Sequence, residues 1–314
     1  MSLLVADIGG TNTRVALASG AGIGPVTAFR NAGFPDLGSL LGHYLATQPA
    51  AERPRAGALS VAAPIRGDEV RMSNIDWHFS RAGLRQALVL DELLVANDFS
   101  ALARSLPELG AADLVAAGGG TAVATAPRIA IGPGTGLGVA GLLPIGSGWL
   151  TLPGEGGHAT LGAADDREEV ILRAARQRYG HCSAERLLSG HGLAFLHETL
   201  HGGTPLTPEA IGARFAAGER DAAETLSMFF GLLGGMAANV ALTLGAFGGV
   251  YIGGGIVPRY LDAFLRSPFR ERFEAKGRYR DYLRAIPAWV IVDPYPALKG
   301  LVALARDARP KPAG

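Results

Sequence analysis

Hydrophobic and polar positions along the chain follow strand-like and helix-like patterns in turn. An apolar run over residues 2–6 ends in Asp7-Ile-Gly-Gly-Thr11, and an extended, alternating pattern resumes over residues 13–18. Two extended segments around a glycine turn predict a β-hairpin. Further strands are predicted at residues 56–63 and 93–96, and helices at residues 37–47 and 99–105. This alternation predicts an α/β fold.

The second half of the chain begins with the same arrangement. Residues 128–131 are apolar, Gly132-Pro-Gly-Thr-Gly-Leu-Gly138 forms a turn, and residues 139–143 continue in an extended pattern. Thr11 of the first turn and Thr135 of the second are 124 residues apart. We interpret the repetition as a duplicated α/β unit, with two similar lobes facing each other across a cleft.

Glycine and proline mark the boundary between the lobes. The polar segment at residues 107–112 contains both and is predicted as the first boundary. Residues 297–306 predict a helix that packs back on the first lobe, and the tail from residue 308 is expected to be frayed. We therefore expect a small lobe of residues 1–108, completed by residues 297–314, and a large lobe of residues 109–296.

Composition narrows the class of protein. Of the 314 residues, 29 are basic and 28 acidic, so there is no charge excess for nucleic acid or an anionic membrane. Cys182 is the sole cysteine, which excludes a disulfide framework.

The N-terminal apolar run lacks a basic region, so no signal peptide is predicted. Residues 228–258 lack charge but are rich in glycine, and they predict a buried helix and strand. We expect a soluble, cytoplasmic protein.

The two glycine turns differ from the common nucleotide-binding motifs. A strand follows each turn instead of the helix that a dinucleotide-binding motif requires, and the chain has no GxxxxGK[ST] segment. Glycines let backbone N–H groups approach an anion closely, and Thr11 and Thr135 add hydroxyl donors. Asp7 is placed where it could hold Mg²⁺ directly or through water. Either turn alone is compatible with an ordinary hairpin, but the pair favours phosphate binding.

An apolar strand ends in Asn97 and Asp98, directly before a helix. Ligands of α/β sheets bind at the carboxyl ends of strands. Asp98 could there accept a proton from a substrate hydroxyl, and Asn97 could donate to and accept from a second hydroxyl. The alternative is that Asp98 only caps the helix.

The segment Leu152-Pro-Gly-Glu-Gly-Gly-His158 places a carboxylate and an imidazole three residues apart in a glycine-rich loop. Such a loop could fold around a small polyol, with Glu155 and His158 bonding neighbouring hydroxyls, or it could be a solvated loop. Glu185, ahead of a predicted helix, is by itself typical of a surface residue.

His197-Glu-Thr-Leu-His201 matches the HExxH zinc motif of metallopeptidases, with Glu198 as the base and Asp221 at a plausible distance for a third ligand. Gly202 and Gly203 end the helix at once, and the helix dipole favours histidines there without a metal. The longer metzincin pattern also fails, because Thr207 stands where its third histidine is needed.

Together these motifs resemble those of the bacterial ATP-dependent glucokinase family, within the hexokinase/actin-like superfamily. They occur in the order that the family shows, from residue 4 to about residue 300. The segments that carry the resemblance are Asp7-Ile-Gly-Gly-Thr-Asn-Thr-Arg14, Ala96-Asn-Asp-Phe99, Gly132-Pro-Gly-Thr-Gly-Leu-Gly138, Leu152-Pro-Gly-Glu-Gly-Gly-His158, Ser183-Ala-Glu-Arg-Leu-Leu-Ser-Gly190 and Gly253-Gly-Gly-Ile-Val-Pro-Arg259.

The resemblance implies a two-lobed actin-like, ribonuclease H-like ATPase fold and a role for each motif. Asp98 would be the catalytic base toward the sugar 6-hydroxyl. The residues that would bind glucose hydroxyls are Asn97, Asp98, Glu155, His158 and Glu185. Those that would hold ATP and Mg²⁺ are Ala6, Asp7, Ile8, Gly9, Gly10, Thr11, Asn12, Gly134, Thr135 and, near the adenosine, Gly254. Family members are usually homodimers. Pro133 departs from the pattern: it is expected inside the second turn, where the family often has a small residue, and it removes one N–H donor there.

We therefore expect phosphoryl transfer from MgATP to the 6-hydroxyl of glucose, the entry step of glycolysis. The alternatives are a related hexose or amino-sugar kinase, a zinc metallopeptidase, and a non-catalytic sugar- or nucleotide-binding regulator of the same fold. The sequence leaves open the choice among glucose, mannose, fructose and amino sugars, because an epimeric hydroxyl is discriminated by contacts that a sequence does not show.

Overall fold

The chain divides into two compact units. A computed structural model describes residues 2–72 and 75–308. Unit 1 contains the chain up to Leu109 and the segment from Pro294 onward, and unit 2 is Gly110–Asp293. Residues 309–314 of the predicted tail lie outside the described residues.

Strands and helices alternate along both units. The strands are β1 (Leu3–Ile8), β2 (Asn12–Ser19), β3 (Gly22–Ile23), β4 (Thr27–Arg30), β5 (Ala56–Val61), β6 (Glu69–Arg71), β7 (His78–Ser80), β8 (Glu92–Asn97), β9 (Leu114–Ala116), β10 (Arg128–Pro133), β11 (Leu137–Ile145), β12 (Gly148–Gly154), β13 (Val250–Ile252) and β14 (Ala288–Ile291). The helices are α1 (Leu37–Ala46), α2 (Arg81–Ala87), α3 (Asp98–Ser105), α4 (Asp166–Tyr179), α5 (Ala184–Leu187), α6 (Gly190–His201), α7 (Pro208–Ala216), α8 (Arg220–Leu244), α9 (Ile256–Arg259), α10 (Leu261–Leu265), α11 (Phe269–Glu274), α12 (Arg280–Arg284) and α13 (Pro296–Asp307).

The main sheet of unit 1 has the strand order β3-β2-β1-β5-β8, and β4 also pairs with β2. The hairpin β1–β2 is antiparallel, while β1, β5 and β8 run parallel. Ile8 pairs with Val61, and Val61 pairs with Asn97. The first glycine turn and the start of α3 therefore lie at the same edge of this sheet, at the carboxyl ends of its parallel strands.

Helices cover both faces of this sheet. On one face Leu37, Leu40 and Leu41 of α1 are fully buried. On the other face Leu298 and Leu301 of α13 pack against the sheet, and burying each such side chain stabilises the fold by about 1.5–3 kcal/mol. Helix α13 also contacts α3, so the C-terminal segment supports the helix that begins at Asp98.

The main sheet of unit 2 has the order β12-β11-β10-β13-β14-β9, again with an antiparallel hairpin, β10–β11, beside parallel strands. The duplicated strand–turn–strand pattern is thus confirmed. Helix α8 contains the apolar stretch of the sequence, with a mean hydropathy of 1.6 over its most apolar window. Of that window 67% is buried inside the unit, which accounts for its composition as a core helix.

Two local predictions are wrong in detail. The second turn does not begin at Gly132, because β10 continues through Pro133, which pairs with Leu137. The chain reverses only over residues 134–136, where the N–H of Gly134 donates to the carbonyl of Gly136 at 2.7 Å. The N–H that Pro133 lacks is therefore lost from a strand end and not from the turn itself.

Candidate active site

The carboxylate of Asp7 lies at the end of β1, beside the first glycine turn. Its Oδ1 accepts a hydrogen bond from the Ser60 hydroxyl at 2.7 Å, and its Oδ2 lies 3.9 Å from the guanidinium of Arg14. Burial raises the pKa of Asp7, and the hydrogen bond from Ser60 and the charge of Arg14 oppose that rise. A carboxylate that burial disfavours is a suitable ligand for a hard cation, which would compensate its charge.

A buried asparagine holds the first turn in place. Asn31 is 1% exposed, and its amide nitrogen donates to the carbonyl of Gly9 at 2.8 Å. Its side-chain oxygen accepts from the Thr13 hydroxyl at 2.8 Å, and its backbone N–H donates to the carbonyl of Thr11 at 3.0 Å. Three hydrogen bonds from one residue fix the turn, while Gly9 and Gly10 stay partly exposed and Thr11 exposed.

Of the two roles that the sequence allowed for Asp98, the capping role belongs to Asn97. Asn97 is the N-cap of α3, since its Oδ1 accepts from the N–H groups of Phe99 and Ser100. Its side-chain nitrogen lies 3.4 Å from the carbonyl of Ala63. The oxygen that was expected to accept from a substrate hydroxyl is thus occupied, and Asn97 has donor capacity only. Asp98, whose Oδ1 also accepts from Phe99, is not needed as the cap.

The second glycine turn is held by neighbouring segments of unit 2. The carbonyl of Gly134 accepts from the N–H of Gly190 at 2.9 Å, and Thr135 is exposed at the tip. Gly254 has a φ of +77°, and a Cβ there would overlap the carbonyl of Pro133. Only glycine therefore fits at position 254, which lies against the end of β10.

Glu155, His158 and Glu185 come together in unit 2. The Nδ1 of His158 lies 3.8 Å from Oε1 of Glu185, and its Nε2 lies 3.9 Å from Oε2 of Glu155. The side chains of Glu155 and His158 are 58% and 60% exposed, so both can reach a ligand in solvent. Two carboxylates around one imidazole offer a dense set of hydrogen-bonding groups to a polyol.

This cluster is built on the second glycine turn. Leu137 is the first residue after the turn, and its N–H donates to Oε2 of Glu185 at 2.9 Å. A Cβ at Gly157 would overlap the carbonyl of the same Leu137, so the loop that carries Glu155 and His158 packs on it as well. Glu155, His158 and Glu185 therefore share one backbone anchor with the turn.

The polar side chains of the HExxH segment bond to neighbouring residues of unit 2 and have a structural role. His197 is 5% exposed, and both it and His201 hydrogen-bond the hydroxyl of Thr225, at 2.9 and 3.1 Å. Glu198, the would-be base, forms an ion pair of 2.7 Å with Arg178. Burial, followed by the charge of His201, lowers the pKa of His197.

Asp221 does approach His201, with 3.7 Å between Oδ1 and Nδ1. The ligand atoms of His201, Asp221 and Glu224 lie within 4.8 Å of one another, but Glu224 is already paired with Arg167. His197 does not join this group, so the two histidines do not form the ligand pair that the zinc motif requires.

The sequence motifs contain the residues that are expected to contact a substrate. They do not contain the residues that hold those side chains and turns in position. Within unit 1 the structure brings together the turn from Ala6 to Asn12, Asn97 and Asp98. Within unit 2 it brings together Gly134, Thr135 and Gly254, and beside them the side chains of Glu155, His158 and Glu185. Ser60, Asn31 and the backbone of Leu137 were not predicted, because each acts on a residue far away in the sequence.

A family model described as Glucokinase matches residues 4–308. A glucokinase of Cupriavidus pinatubonensis is 49% identical over 316 residues, which cover 97% of this chain and 92% of that protein. The crystal structure of a glucokinase from an Antarctic psychrotroph has a TM-score of 0.88 at 35% identity, covering 98% of this chain and 99% of that one. A ROK family glucokinase from Streptomyces griseus, in complex with glucose and AMPPNP, shares the fold with a TM-score of 0.63 at 19% identity, covering 98% of this chain and 100% of that one.

Proposed function

The chain belongs to the glucokinase family, and from that premise we propose that it transfers the γ-phosphoryl group of ATP to the 6-hydroxyl of glucose. The products are glucose 6-phosphate and ADP. The chain has the actin-like ATPase fold of its structural neighbours, so the predicted fold class is confirmed. The observation that carries the proposal is the hydrogen bond between Leu137 and Glu185, which joins a polyol-binding cluster to a glycine turn suited to phosphate.

Unit 2 supplies three side chains for the sugar hydroxyls. Glu155 and Glu185 accept from hydroxyls, and His158 completes the set with either a donor or an acceptor nitrogen. Asn97 donates through its side-chain nitrogen, because its oxygen caps α3. Asp98 accepts the proton of the 6-hydroxyl as the phosphoryl group arrives in line, a contribution of about 10²–10⁴-fold for a positioned general base.

Each glycine turn binds phosphate oxygens through backbone N–H groups. In the first turn these belong to Gly10 and Thr11, because the N–H of Gly9 donates to the carbonyl of Asn12 at 3.0 Å. In the second turn the N–H belongs to Thr135, because that of Gly134 donates to the carbonyl of Gly136. Asp7 is the residue that fits Mg²⁺, since it is a partly buried carboxylate at a strand end, and Arg14 approaches it no closer than 3.9 Å. Bound there, Mg²⁺ would neutralise charge on the β- and γ-phosphates. Gly254 supports the adenosine side of the nucleotide.

The protein acts as a cytoplasmic homodimer under this proposal. The family resemblance implies the dimer, and the single cysteine, Cys182, is buried and unpaired, as suits a reducing compartment. Size-exclusion chromatography with light scattering decides the oligomeric state, because a monomer of 32.4 kDa and its dimer differ twofold in mass.

The activity is tested by ADP release from MgATP with glucose, mannose, fructose, glucosamine and a control without sugar. We expect turnover with glucose that greatly exceeds the control, and phosphorus NMR of the product should place the phosphate on the 6-oxygen. Faster turnover with another sugar would keep the kinase and change its substrate. If no sugar stimulates ADP release, the proposed activity is wrong.

A further inference from the structure

Unit 2 contains a cavity that shares no residue with the candidate active site. Its volume is about 220 Å³, well above the roughly 30 Å³ that one water molecule occupies in the liquid. The polar side chains and glycines that line it are Gly162, Glu168, Gly235, Asn239, Arg272 and Lys276. The cavity thus lies against α4, α8 and α11, on elements for which the proposed function assigns no role.

Two cations and one carboxylate face this cavity. Glu168 is 3% exposed, accepts the N–H of Ala164 at 2.8 Å and forms an ion pair with Arg272. Lys276 donates to Oδ1 of Asn239 at 2.6 Å, and among residues 2–72 and 75–308 no carboxylate lies within ion-pair distance of it. The cavity therefore carries one positive charge that the protein does not compensate.

Hydrogen-bond donors remain on both cations. An ammonium has three N–H donors and a guanidinium five. Within the part of the chain that the structure describes, Lys276 uses one donor, on Asn239, and Arg272 uses only Nη2, on Glu168. Burial lowers the pKa of Lys276, and the charge of Arg272 lowers it further against the opposing effect of Glu168. An anion in the cavity would accept from the donors that remain and would compensate the charge.

We propose that this cavity binds the phosphate group of a small ligand, with its oxygens accepting from Lys276 and from the Nε and Nη1 groups of Arg272. A guanidinium fork beside an ammonium matches the several acceptor oxygens of phosphate better than the two of a single carboxylate. The volume exceeds that of one phosphate, so a phosphate monoester of a small metabolite also fits. The bound state would link α11 and the segment that follows it to α8 through Asn239.

The test is a calorimetric titration of the full chain with inorganic phosphate and, separately, with glycerol 3-phosphate. A saturating non-hydrolysable ATP analogue with Mg²⁺ and glucose is present, so that the glycine turns are occupied. We expect one saturable site in the wild-type protein. Equal affinity for the two probes would identify free phosphate as the ligand class, and tighter binding of the ester would identify a phosphate monoester.

Variants locate the binding. Lys276→Met removes the uncompensated cation, and we expect its affinity for phosphate to fall by about tenfold or more, the usual effect of losing a charge-assisted hydrogen bond. Gly235→Met changes no charge but fills the cavity, because a Cβ at Gly235 meets nothing within 4 Å. Arg278→Met removes an exposed cation two residues from Lys276 that does not line the cavity, and its affinity should be unchanged.

The result that would overturn the proposal is the absence of saturable phosphate binding in the wild-type protein. Equal binding by wild type, Lys276→Met and Gly235→Met would do the same, since the phosphate would then bind elsewhere. Cooperative thermal unfolding of each variant is checked first. If Gly235→Met fails to fold, the phosphate affinities of Lys276→Met and Arg278→Met still test the proposal. None of these readouts needs turnover, so a failure of the proposed activity would be seen separately in the ADP assay.

Discussion

The N–H of Leu137 and the carboxylate of Glu185, 48 residues apart in the chain, are joined by a hydrogen bond of 2.9 Å. Leu137 follows the second glycine turn directly, and Gly190 at the end of the segment that contains Glu185 donates to Gly134 within the turn. The segment of residues 185–190 therefore holds the turn from two sides. A displacement of the turn would move the Glu185 carboxylate with it, and under the proposed function this would couple phosphate binding to sugar binding in unit 2.

Gly136→Ala tests this coupling. A Cβ at Gly136 would overlap Oε2 of Glu185, so the carboxylate must leave its hydrogen bond with Leu137. Losing one charge-assisted contact to the sugar costs about 1.5–3 kcal/mol, and we expect the KM for glucose to rise by about tenfold or more, with a smaller change in kcat. Steady-state kinetics with glucose varied at saturating MgATP measure the effect.

Gly154→Ala is the matched control for that substitution. Gly154 lies next to Glu155, but a Cβ there meets the carbonyl of Val139 at 3.5 Å, an ordinary contact. The KM for glucose should stay within about twofold of the wild-type value, as for a substitution that is sterically neutral. A Gly136→Ala variant that behaves like Gly154→Ala would show that Glu185 does not depend on the turn.

Asp98→Ala should lower kcat by about 10²–10⁴-fold, the range expected for a lost general base. The variant should still fold, because Asn97 and not Asp98 provides the N-cap of α3. Asp91→Ala is the control, since Asp91 precedes the opposite end of β8 and its ion pair with Arg55 is exposed. If Asp98→Ala retains near-wild-type kcat while Asp91→Ala does as well, another group accepts the proton.

Asp7→Asn should make the protein without ligands more stable at neutral pH. Burial raises the pKa of Asp7 above the value of about 3.9 that an unfolded chain has. The native state then binds the proton more tightly than the unfolded state, so the wild type loses stability as pH rises from the unfolded pKa through the raised native pKa. Asparagine is neutral throughout, and its advantage in the free energy of unfolding should grow over the same window and vanish below it.

Urea unfolding of both proteins over a series of pH values measures this difference. Asp91→Asn serves as the control of opposite sign, because the hydrogen bond from Arg55 lowers the pKa of Asp91. That substitution should give no gain at neutral pH. A loss of stability in Asp7→Asn at neutral pH would mean that Ser60 and Arg14 outweigh the burial of Asp7.

The groups that we propose to contact the substrate can be predicted from the sequence because they lie in short, local motifs. A strand, a glycine turn and a strand can be recognised within about 15 residues, and Asn97 with Asp98 marks a strand end. The supporting groups act over long separations: Asn31 is 22 residues from Gly9, and Ser60 is 53 residues from Asp7. No local pattern distinguishes such a residue from any other buried polar side chain.

The surroundings of Glu185 could not be predicted from local sequence either. Taken alone, its position before a helix is typical of an exposed residue, and only the family resemblance marks it as a ligand. In the structure it lies on the four-residue helix α5, 3.8 Å from His158. The β-strand pairing that brings Leu137 close to Glu185 depends on the whole sheet of unit 2. The residues next to Glu185 in the sequence do not predict that pairing.

Gly300→Ala should destabilise unit 1 and lower activity together. Gly300 is buried in α13, and a Cβ there would overlap the carbonyl oxygen of Ala101 in α3. The two helices would have to separate, which strains the hydrogen bond of 2.6 Å between the buried Arg104 and Asp307. Forcing an extra methyl group into such a contact costs about 1–3 kcal/mol. Because α3 begins at Asp98, we also expect a lower kcat.

Gly42→Ala makes the same chemical change in a helix where there is room. No atom lies within 4 Å of a Cβ at Gly42 in α1, so alanine should stabilise the protein by up to about 1 kcal/mol through its better helix propensity. In urea unfolding, the free energy of unfolding should therefore fall for Gly300→Ala and rise for Gly42→Ala, and kcat should fall only in Gly300→Ala. Equal stability of Gly300→Ala and wild type would mean that α13 can move away from α3 at no cost, and that the close approach at Ala101 does not hold Asp98 in place.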